Sequence, residues 1–246
     1  MAAPPESPLR NIATELVATV LLMLAGPGLI VLSSGPVSNL SVALAFGAAL
    51  AIAIGVLGAV ANPALSLALT VVREISPAQM VQDWIGQFAG GIVGAAIIWG
   101  INDQTRSAAG STGWDVGRFS ELGSVIAAEL IFTIVLVVVF LSAISQGLST
   151  AAIAAFTGLA YAVGALVLLD ISGAGMNPAR SLGSAIFTDT NPNALGQVIV
   201  FIVVPLVAAV AAVFIWLAID DAEVDDTLFD ETFVDDLGDA IDGTPD

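Results

Sequence analysis

Long stretches without any charged side chain dominate the hydropathy pattern of this 246-residue chain. Residues 16–72, 130–169 and 190–219 each lack Asp, Glu, Lys and Arg. Because an apolar helix needs about 20 residues to cross a bilayer, each stretch is long enough for at least one membrane helix. Read together with the turn residues between them, these stretches predict an all-α membrane protein with six transmembrane helices. The predicted spans are 11–32, 40–60, 81–101, 122–144, 150–171 and 195–219.

Two further apolar stretches, 63–72 and 178–187, are too short to cross a bilayer. A helix of that length, at a rise of 1.5 Å per residue, extends about 15 Å, or half the hydrocarbon thickness. Each stretch follows an asparagine and begins with proline, which suit the N-cap and the first helical position. A helix that begins at membrane depth needs protein or water around its free backbone groups, so the pair predicts a pore or a transporter. The two tripeptides are Asn62-Pro63-Ala64 and Asn177-Pro178-Ala179.

The order of these features repeats along the chain. Asn62 follows Glu15 by 47 positions, and Asn177 follows Glu129 by 48. Each half therefore reads as a Glu-bearing helix, a second helix, a half-helix and a third helix. Three spans per repeat is an odd number, so the repeats insert in opposite orientations and the half-helices meet near the midplane. The predicted organisation is an N-terminal tail 1–10, repeats 11–101 and 122–219, a connecting loop 102–121 and an acidic tail 220–246.

The amino-acid composition excludes several classes of function. The chain is 57% hydrophobic and 11% charged, and it contains neither Cys nor His. Without Cys the chain has no thiol chemistry, and without His it lacks the usual ligand of transition metals. We therefore expect neither an enzyme nor a cofactor. The net charge of −17 comes largely from residues 220–246, which hold 12 of the 22 acidic residues and predict a hydrated, disordered tail. This balance argues against nucleic-acid binding, and an acid-rich, Lys-free chain is typical of a proteome adapted to high salt, such as that of a halophilic archaeon.

Paired Asn-Pro-Ala half-helices in two Glu-led three-helix repeats resemble the aquaporin, or major intrinsic protein, family. The second tripeptide continues into Arg180 and Ser181, as in that family, and the resemblance covers residues 10–219. It implies an inverted repeat of six membrane helices plus two half-helices. It also implies a passive water channel that excludes protons and ions, assembled as a homotetramer in the plasma membrane with one pore per subunit.

The family's functional positions carry over residue by residue. The resemblance makes Asn62 and Asn177 donors to the passing solute, and it makes Glu15 and Glu129 buried supports of the two loops. The motif residues beside the asparagines are Pro63, Ala64, Pro178 and Ala179, and the selectivity filter would comprise Phe46, Ala165, Ala174 and Arg180. The carbonyls that accept hydrogen bonds in the pore would be those of Gly58, Ala59, Val60, Gly173, Ala174 and Gly175.

The chain departs from the family pattern at three places. Ala165 stands where water-selective members often have His, Asp170 stands where Pro is usual, and Gly-Ala-Val-Ala precedes Asn62 in place of a Gly-Gly-His sequence. A small residue at 165 widens the predicted constriction, so a channel for glycerol, urea or ammonia is the alternative. Ser181 favours water, because glycerol channels usually carry Asp at that position.

The predicted site residues also have structural interpretations. The asparagines could simply cap two helices, Arg180 could form an ion pair within the fold, and Phe46 could be a core aromatic. Glu15 and Glu129 could relay protons, although the sequence indicates no other acid at membrane depth except Asp170. Two other classes of protein are alternatives to a water channel: a secondary transporter, and a closed adhesion protein on the same fold.

Overall fold

Helices form all the regular structure in the part of the chain that the computed structural model describes, which is residues 7–105, 110–114, 121–188 and 194–220. Six helical segments there are long and apolar enough to cross a membrane, which confirms the prediction of an all-α membrane protein. In chain order the elements are α1 (Pro8–Ala25), α2 (Pro27–Leu32), α3 (Asn39–Ile52), α4 (Pro63–Val71), α5 (Pro77–Ile101), α6 (Leu122–Ser145), α7 (Thr150–Leu168), α8 (Pro178–Phe187) and α9 (Ala194–Ile219). The first candidate span joins α1 and α2, and α4 and α8 are the two short helices after the Asn-Pro pairs.

Serine N-caps set where four of the spans begin. The side chains of Ser7, Ser38, Ser76 and Ser149 each accept a hydrogen bond from the amide three residues later, at 3.1–3.3 Å. Such a cap satisfies one of the free amides of the first helical turn. Because Ser76 caps α5, this helix begins at Pro77 rather than at the predicted residue 81.

The first, second and fifth spans differ from their predictions. Gly26 separates α1 from α2, whereas the continuous apolar run predicted a single helix over 11–32. The next residue is a proline, which cannot donate to the helical ladder. α3 continues as a π-helical turn, Ala53–Leu57, and Gly58 in the left-handed conformation (φ 70°) ends it before the predicted residue 60. α7 likewise ends at Leu168 rather than at residue 171.

Small residues allow the long helices to approach closely. A Cβ atom at Gly86 of α5 would overlap the backbone carbonyl of Ile12 in α1. In the same way α3 and α7 cross where Gly47 and Gly158 face each other's carbonyl groups. Association of helices in lipid relies on such close packing, because burial of apolar surface gives little driving force between them.

The half-helices interlock the two repeats. α1 packs against α5 in the first repeat, and α6 packs against α9 in the second. Each half-helix lies against the last helix of the other repeat, since α4 contacts α9 and α8 contacts α5. At the second of these contacts Gly183 meets the backbone of Gly91. The exchange holds the first turns of α4 and α8 inside the bundle, where their leading residues are fully buried.

Large apolar side chains cover the outside of the bundle. Leu44, Ile131, Phe156 and Val207, from four different helices, are each more than half exposed. Exposed apolar side chains on this scale mark a surface that meets something other than water. This surface fits a hydrocarbon environment around the six spans.

Candidate functional site

Two asparagines begin the half-helices at the centre of the bundle. The backbone at Asn62 (φ −154°) and at Asn177 (φ −143°) is extended, which is the usual conformation of an N-cap. Asn62 Oδ1 accepts from the amide of Ala64 at 3.0 Å, and Asn177 Oδ1 accepts from the amide of Arg180 at 3.1 Å. Pro63 and Pro178 follow at the first helical position. Capping is therefore one role that both asparagines have in this structure.

The same two side chains also join the repeats to each other. Asn62 Nδ2 donates to the carbonyl of Met176 at 3.0 Å, and Asn177 Nδ2 donates to the carbonyl of Ala61 at 2.7 Å. Each bond ends on the residue before the opposite asparagine, so the N-termini of α4 and α8 face each other. An amide nitrogen carries two N–H groups, and this contact uses one of them. The arrangement leaves each asparagine a second N–H that can be offered to a solute.

Two buried carboxylates hold the loops that lead to the asparagines. Glu15 accepts from the amides of Val60 and Ala61, each at 2.8 Å. Glu129 accepts from the amide of Gly175 at 2.8 Å and from that of Met176 at 2.7 Å. The two sets of bonds occupy equivalent positions in the two repeats.

The backbone of these loops adopts conformations that ordinary residues rarely take. Gly58 and Gly173 have φ of 70° and 83°, while Ala61, Ala174 and Met176 have φ of 48°, 62° and 49°. A left-handed conformation at a residue with a side chain costs roughly 1–2 kcal/mol. Such strain persists only where surrounding contacts hold it in place, and the bonds to the carboxylates and asparagines supply those contacts.

Buried polar side chains that the sequence analysis missed surround the first carboxylate. Gln87 Nε2 donates to Glu15 Oε2 at 3.0 Å and to Ser66 Oγ at 2.9 Å. Asn11 Nδ2 donates to Asp83 Oδ1 at 2.7 Å, and Asp83 is only 3% exposed. The expectation that Asp170 is the only other acid at membrane depth was therefore wrong. Asp83 and Gln87 lie four residues apart on one face of α5, which is the signal that could have found them.

Arg180, Phe46 and Gly173 meet on the side of the asparagines where the connecting loop lies. Arg180 is fully buried, and its Nη2 donates to the carbonyl of Gly173 at 2.8 Å. Its Nη1 lies 3.4 Å from Ser184 Oγ, while Nε has no hydrogen-bond partner within the described ranges. The guanidinium carbon is 5.4 Å from the centroid of the Phe46 ring, within cation–π range. A buried donor without a protein partner is available to a polar solute.

Residues 164, 165 and 166 of α7 face different surroundings. Ala165 is fully buried, whereas Leu166 is 41% exposed and faces out of the bundle. A Cβ atom at Gly164 would meet the side chains of Met176 and Phe132, so Gly164 faces packed side chains. Ala174 is also buried, at the end of the loop segment held by Arg180. Sequence analysis did not single out Tyr161, which lies one helical turn before Ala165 and is fully buried.

A cavity of about 300 Å³ leads toward Arg180 from the side opposite the N-terminus. Its lining includes Val37, Val42, Ser111 and Gly173, so it extends from the start of α3 to the second loop. The amide of Gly113 donates to the carbonyl of Ser172 at 3.0 Å, which fastens the described part of the connecting loop over this entrance. Residues 1–6 of the predicted N-terminal tail and 221–246 of the predicted acidic tail lie outside the described residues, whereas residues 8–10, predicted as tail, form the first turn of α1.

Comparison with known proteins agrees with this architecture. The family described as Major intrinsic protein matches residues 4–216. The chain is 34% identical over 222 residues to Aquaporin Z of Brucella melitensis biotype 1, covering 85% of this chain and 96% of that protein. It is 32% identical over 215 residues to Glycerol uptake facilitator protein-like 6 of Lactiplantibacillus plantarum, covering 84% of this chain and 96% of that protein.

Among solved structures, the X-ray structure of the aquaglyceroporin from Plasmodium falciparum matches with a TM-score of 0.74. The match covers 87% of this chain and 97% of that chain at 22% identity, which shows that the two share a fold. The family match, the relatives and the helical bundle lead to one conclusion. This chain belongs to the major intrinsic protein family, whose members are passive membrane channels and not enzymes.

Proposed function

We propose that this channel conducts water and excludes protons and ions. The observation that carries the proposal is the reciprocal bonding of Asn62 and Asn177, which sets two half-helix N-termini against each other inside a membrane-spanning bundle. A site of this kind offers hydrogen-bond donors at the one depth where a passing water is farthest from bulk solvent. It needs no bond-making chemistry.

The two loops provide a path of acceptors on either side of these donors. Water that crosses about 30 Å of hydrocarbon loses its hydrogen bonds unless the wall replaces them. In a trans peptide the N–H and the C=O point in opposite directions. Because Glu15 binds the amides of Val60 and Ala61, it aims the carbonyls of Ala59 and Val60 away from itself. Glu129 acts in the same way on the carbonyls of Ala174 and Gly175.

Two electrostatic barriers support the exclusion of protons and cations. Each half-helix N-terminus carries about half a positive elementary charge, and two of them face the same point. A proton that hops along a file of water, or a cation, meets a positive potential there. Arg180 adds a full positive charge nearer to the entrance, where its buried guanidinium donates to Gly173 and its Nε has no partner among the described residues.

Conduction of a larger neutral solute such as glycerol, urea or ammonia is the second candidate function. Ala165 favours it, because a methyl group in the filter leaves more room than an imidazole. Ser181 favours water, since the family's glycerol channels usually carry Asp after the filter arginine. The relatives named above include both an aquaporin and a glycerol uptake facilitator-like protein.

We also propose that the protein is a homotetramer in the plasma membrane, where it would let water follow osmotic gradients. Family resemblance supports this assembly, and so does one surface feature. An outward-facing groove between α3 and α7 is lined by small residues, including Gly47, Ala51 and Gly158. Grooves of small residues allow a neighbouring helix to approach closely in lipid.

Stopped-flow light scattering of proteoliposomes tests the solute preference. Vesicles would be mixed with hyperosmotic sucrose, glycerol or urea. A water channel speeds shrinkage in all three solutions, and reswelling in glycerol or urea stays as slow as in empty vesicles. Fast reswelling in glycerol or urea would support the second candidate, and both shrinkage and reswelling no faster than in empty vesicles would contradict both candidates.

A further inference from the structure

Tyr161 is a buried aromatic residue of α7 that lies beside the proposed filter residues. Its side chain is fully buried, and it lies four residues before Ala165, on the same face of the helix. Its ring centroid is 5.5 Å from that of Phe46, with the two rings tilted by 41°. Phe46 in turn lies under the guanidinium of Arg180. Tyr161 therefore extends the aromatic wall of the filter by one turn of α7 toward the asparagines.

The hydroxyl group of Tyr161 reaches the second loop. Tyr161 Oη donates to the carbonyl of Gly175 at 3.3 Å. That carbonyl is aimed away from Glu129, because Glu129 binds the amide of Met176 in the same peptide group. Gly175 stands two residues before Asn177 in the proposed row of acceptors. The tyrosine thus bridges α7 and the acceptor row between the filter and the asparagines.

From this geometry we infer that Tyr161 is a specificity-determining residue of the channel. This inference rests on the proposed function, because it assigns the residue that sets the size limit of the same pore. Ala165 brings only a methyl group to the filter, and the Tyr161 ring provides the bulk one turn deeper. A water molecule can replace the hydroxyl at the Gly175 carbonyl, since it donates a hydrogen bond of the same kind. A three-carbon polyol needs the space that the ring occupies.

The alternative is that Tyr161 only fills the core. A side chain with that role affects stability when it is truncated, and it does not set a size limit for solutes. The two roles separate in a comparison of ring removal with hydroxyl removal. Tyr161→Phe keeps the ring and loses the bond to Gly175, whereas Tyr161→Ala and Tyr161→Leu both remove the ring.

Proteoliposomes of the full chain, measured for glycerol and erythritol influx and for osmotic shrinkage in sucrose, provide the test. We expect Tyr161→Ala to raise glycerol influx per folded channel by about tenfold or more over the parent, with a smaller rise for erythritol. Tyr161→Leu should raise glycerol influx in the same direction, and it is the substitute if the alanine variant does not fold. Tyr161→Phe should keep glycerol excluded.

Phe156→Ala is the matched control, because Phe156 is an aromatic residue of the same helix that is 51% exposed on the outside. Its glycerol influx should equal that of the parent. The assignment is overturned if glycerol influx is unchanged in both Tyr161→Ala and Tyr161→Leu, or if Phe156→Ala raises it equally. Sucrose shrinkage separates this result from failure of the proposed function: a parent that shrinks no faster than empty vesicles contradicts water conduction itself.

Discussion

At the scale of single residues, the proposed pore contains buried charged groups with two different roles. Glu15 and Glu129 are enclosed by amides of the loops and face backbone that must keep a strained conformation. Arg180 is equally buried, yet one of its donors has no protein partner among the described residues. A carboxylate that is surrounded by protein donors is suited to hold the fold together, and a cation with a donor that no described residue binds can bind a solute.

Replacing Arg180 by Val tests the second of these roles. The variant loses the buried positive charge on the entrance side of the asparagines, while both half-helix N-termini remain. We expect water flux to change by less than about threefold and a proton leak to appear, because one of two positive barriers is gone. A pH-sensitive dye inside the vesicles, read under an imposed potential, measures the leak. A well-folded variant that leaks no protons would instead show that Arg180 is structural.

Replacing Glu129 by Ala tests the first role. The change leaves the buried amides of Gly175 and Met176 without their acceptor, at about 1–3 kcal/mol for each group. We expect the unfolding temperature in detergent to fall markedly and the water flux per folded channel to drop. Glu121→Ala is the control, because Glu121 is an exposed acid just before the same helix. Equal stability of the two variants would contradict the supporting role.

At the scale of elements, the break between α1 and α2 makes room for Phe46, a residue of the proposed filter. Gly26 lies at this break, and a Cβ atom there would overlap the ring of Phe46. The absence of a side chain at one position therefore sets where an aromatic ring of another helix can lie. The backbone at Gly26 therefore affects the proposed filter, because the interior of the bundle is close-packed.

Gly26→Ala should accordingly narrow the filter. The added methyl group must displace the Phe46 ring, toward Arg180 and Tyr161. Overpacking of this kind costs about 1–3 kcal/mol, and we expect water flux to fall severalfold in a protein that still folds. Gly100→Ala is the control, since a Cβ atom at Gly100 meets nothing within 4 Å. Unchanged flux in Gly26→Ala, measured by vesicle shrinkage, would show that Phe46 does not limit the pore.

The same elements show what the sequence could predict. Both half-helix starts could be located because Asn followed by Pro is a local signal that hydrophobicity does not obscure. The break at Gly26 and the π-helical turn at Ala53–Leu57 were missed, since apolar residues continue through both. Tyr161 of α7 was missed for a related reason. A membrane helix that is apolar on every side does not reveal which residues face the interior.

At the scale of the whole molecule, the inverted repeat places one asparagine from each half at the same point. The two bonds, Asn62 to Met176 and Asn177 to Ala61, cross between the repeats. The half-helices also pack across the two repeats, because α4 contacts α9 and α8 contacts α5. Neither half can form the central site without the other, because each supplies the carbonyl that orients the other's asparagine.

The temperature dependence of water flux distinguishes passage through a hydrogen-bonded pore from passage through the lipid. Proteoliposomes of the full chain would be shrunk in sucrose over a range of temperatures, beside empty vesicles of the same lipid. We expect faster shrinkage with an activation energy well below that of the bare bilayer, because water keeps hydrogen bonds to carbonyls and asparagines throughout its passage. A rate and an activation energy equal to those of the empty vesicles, in protein shown to be folded and inserted, would contradict it.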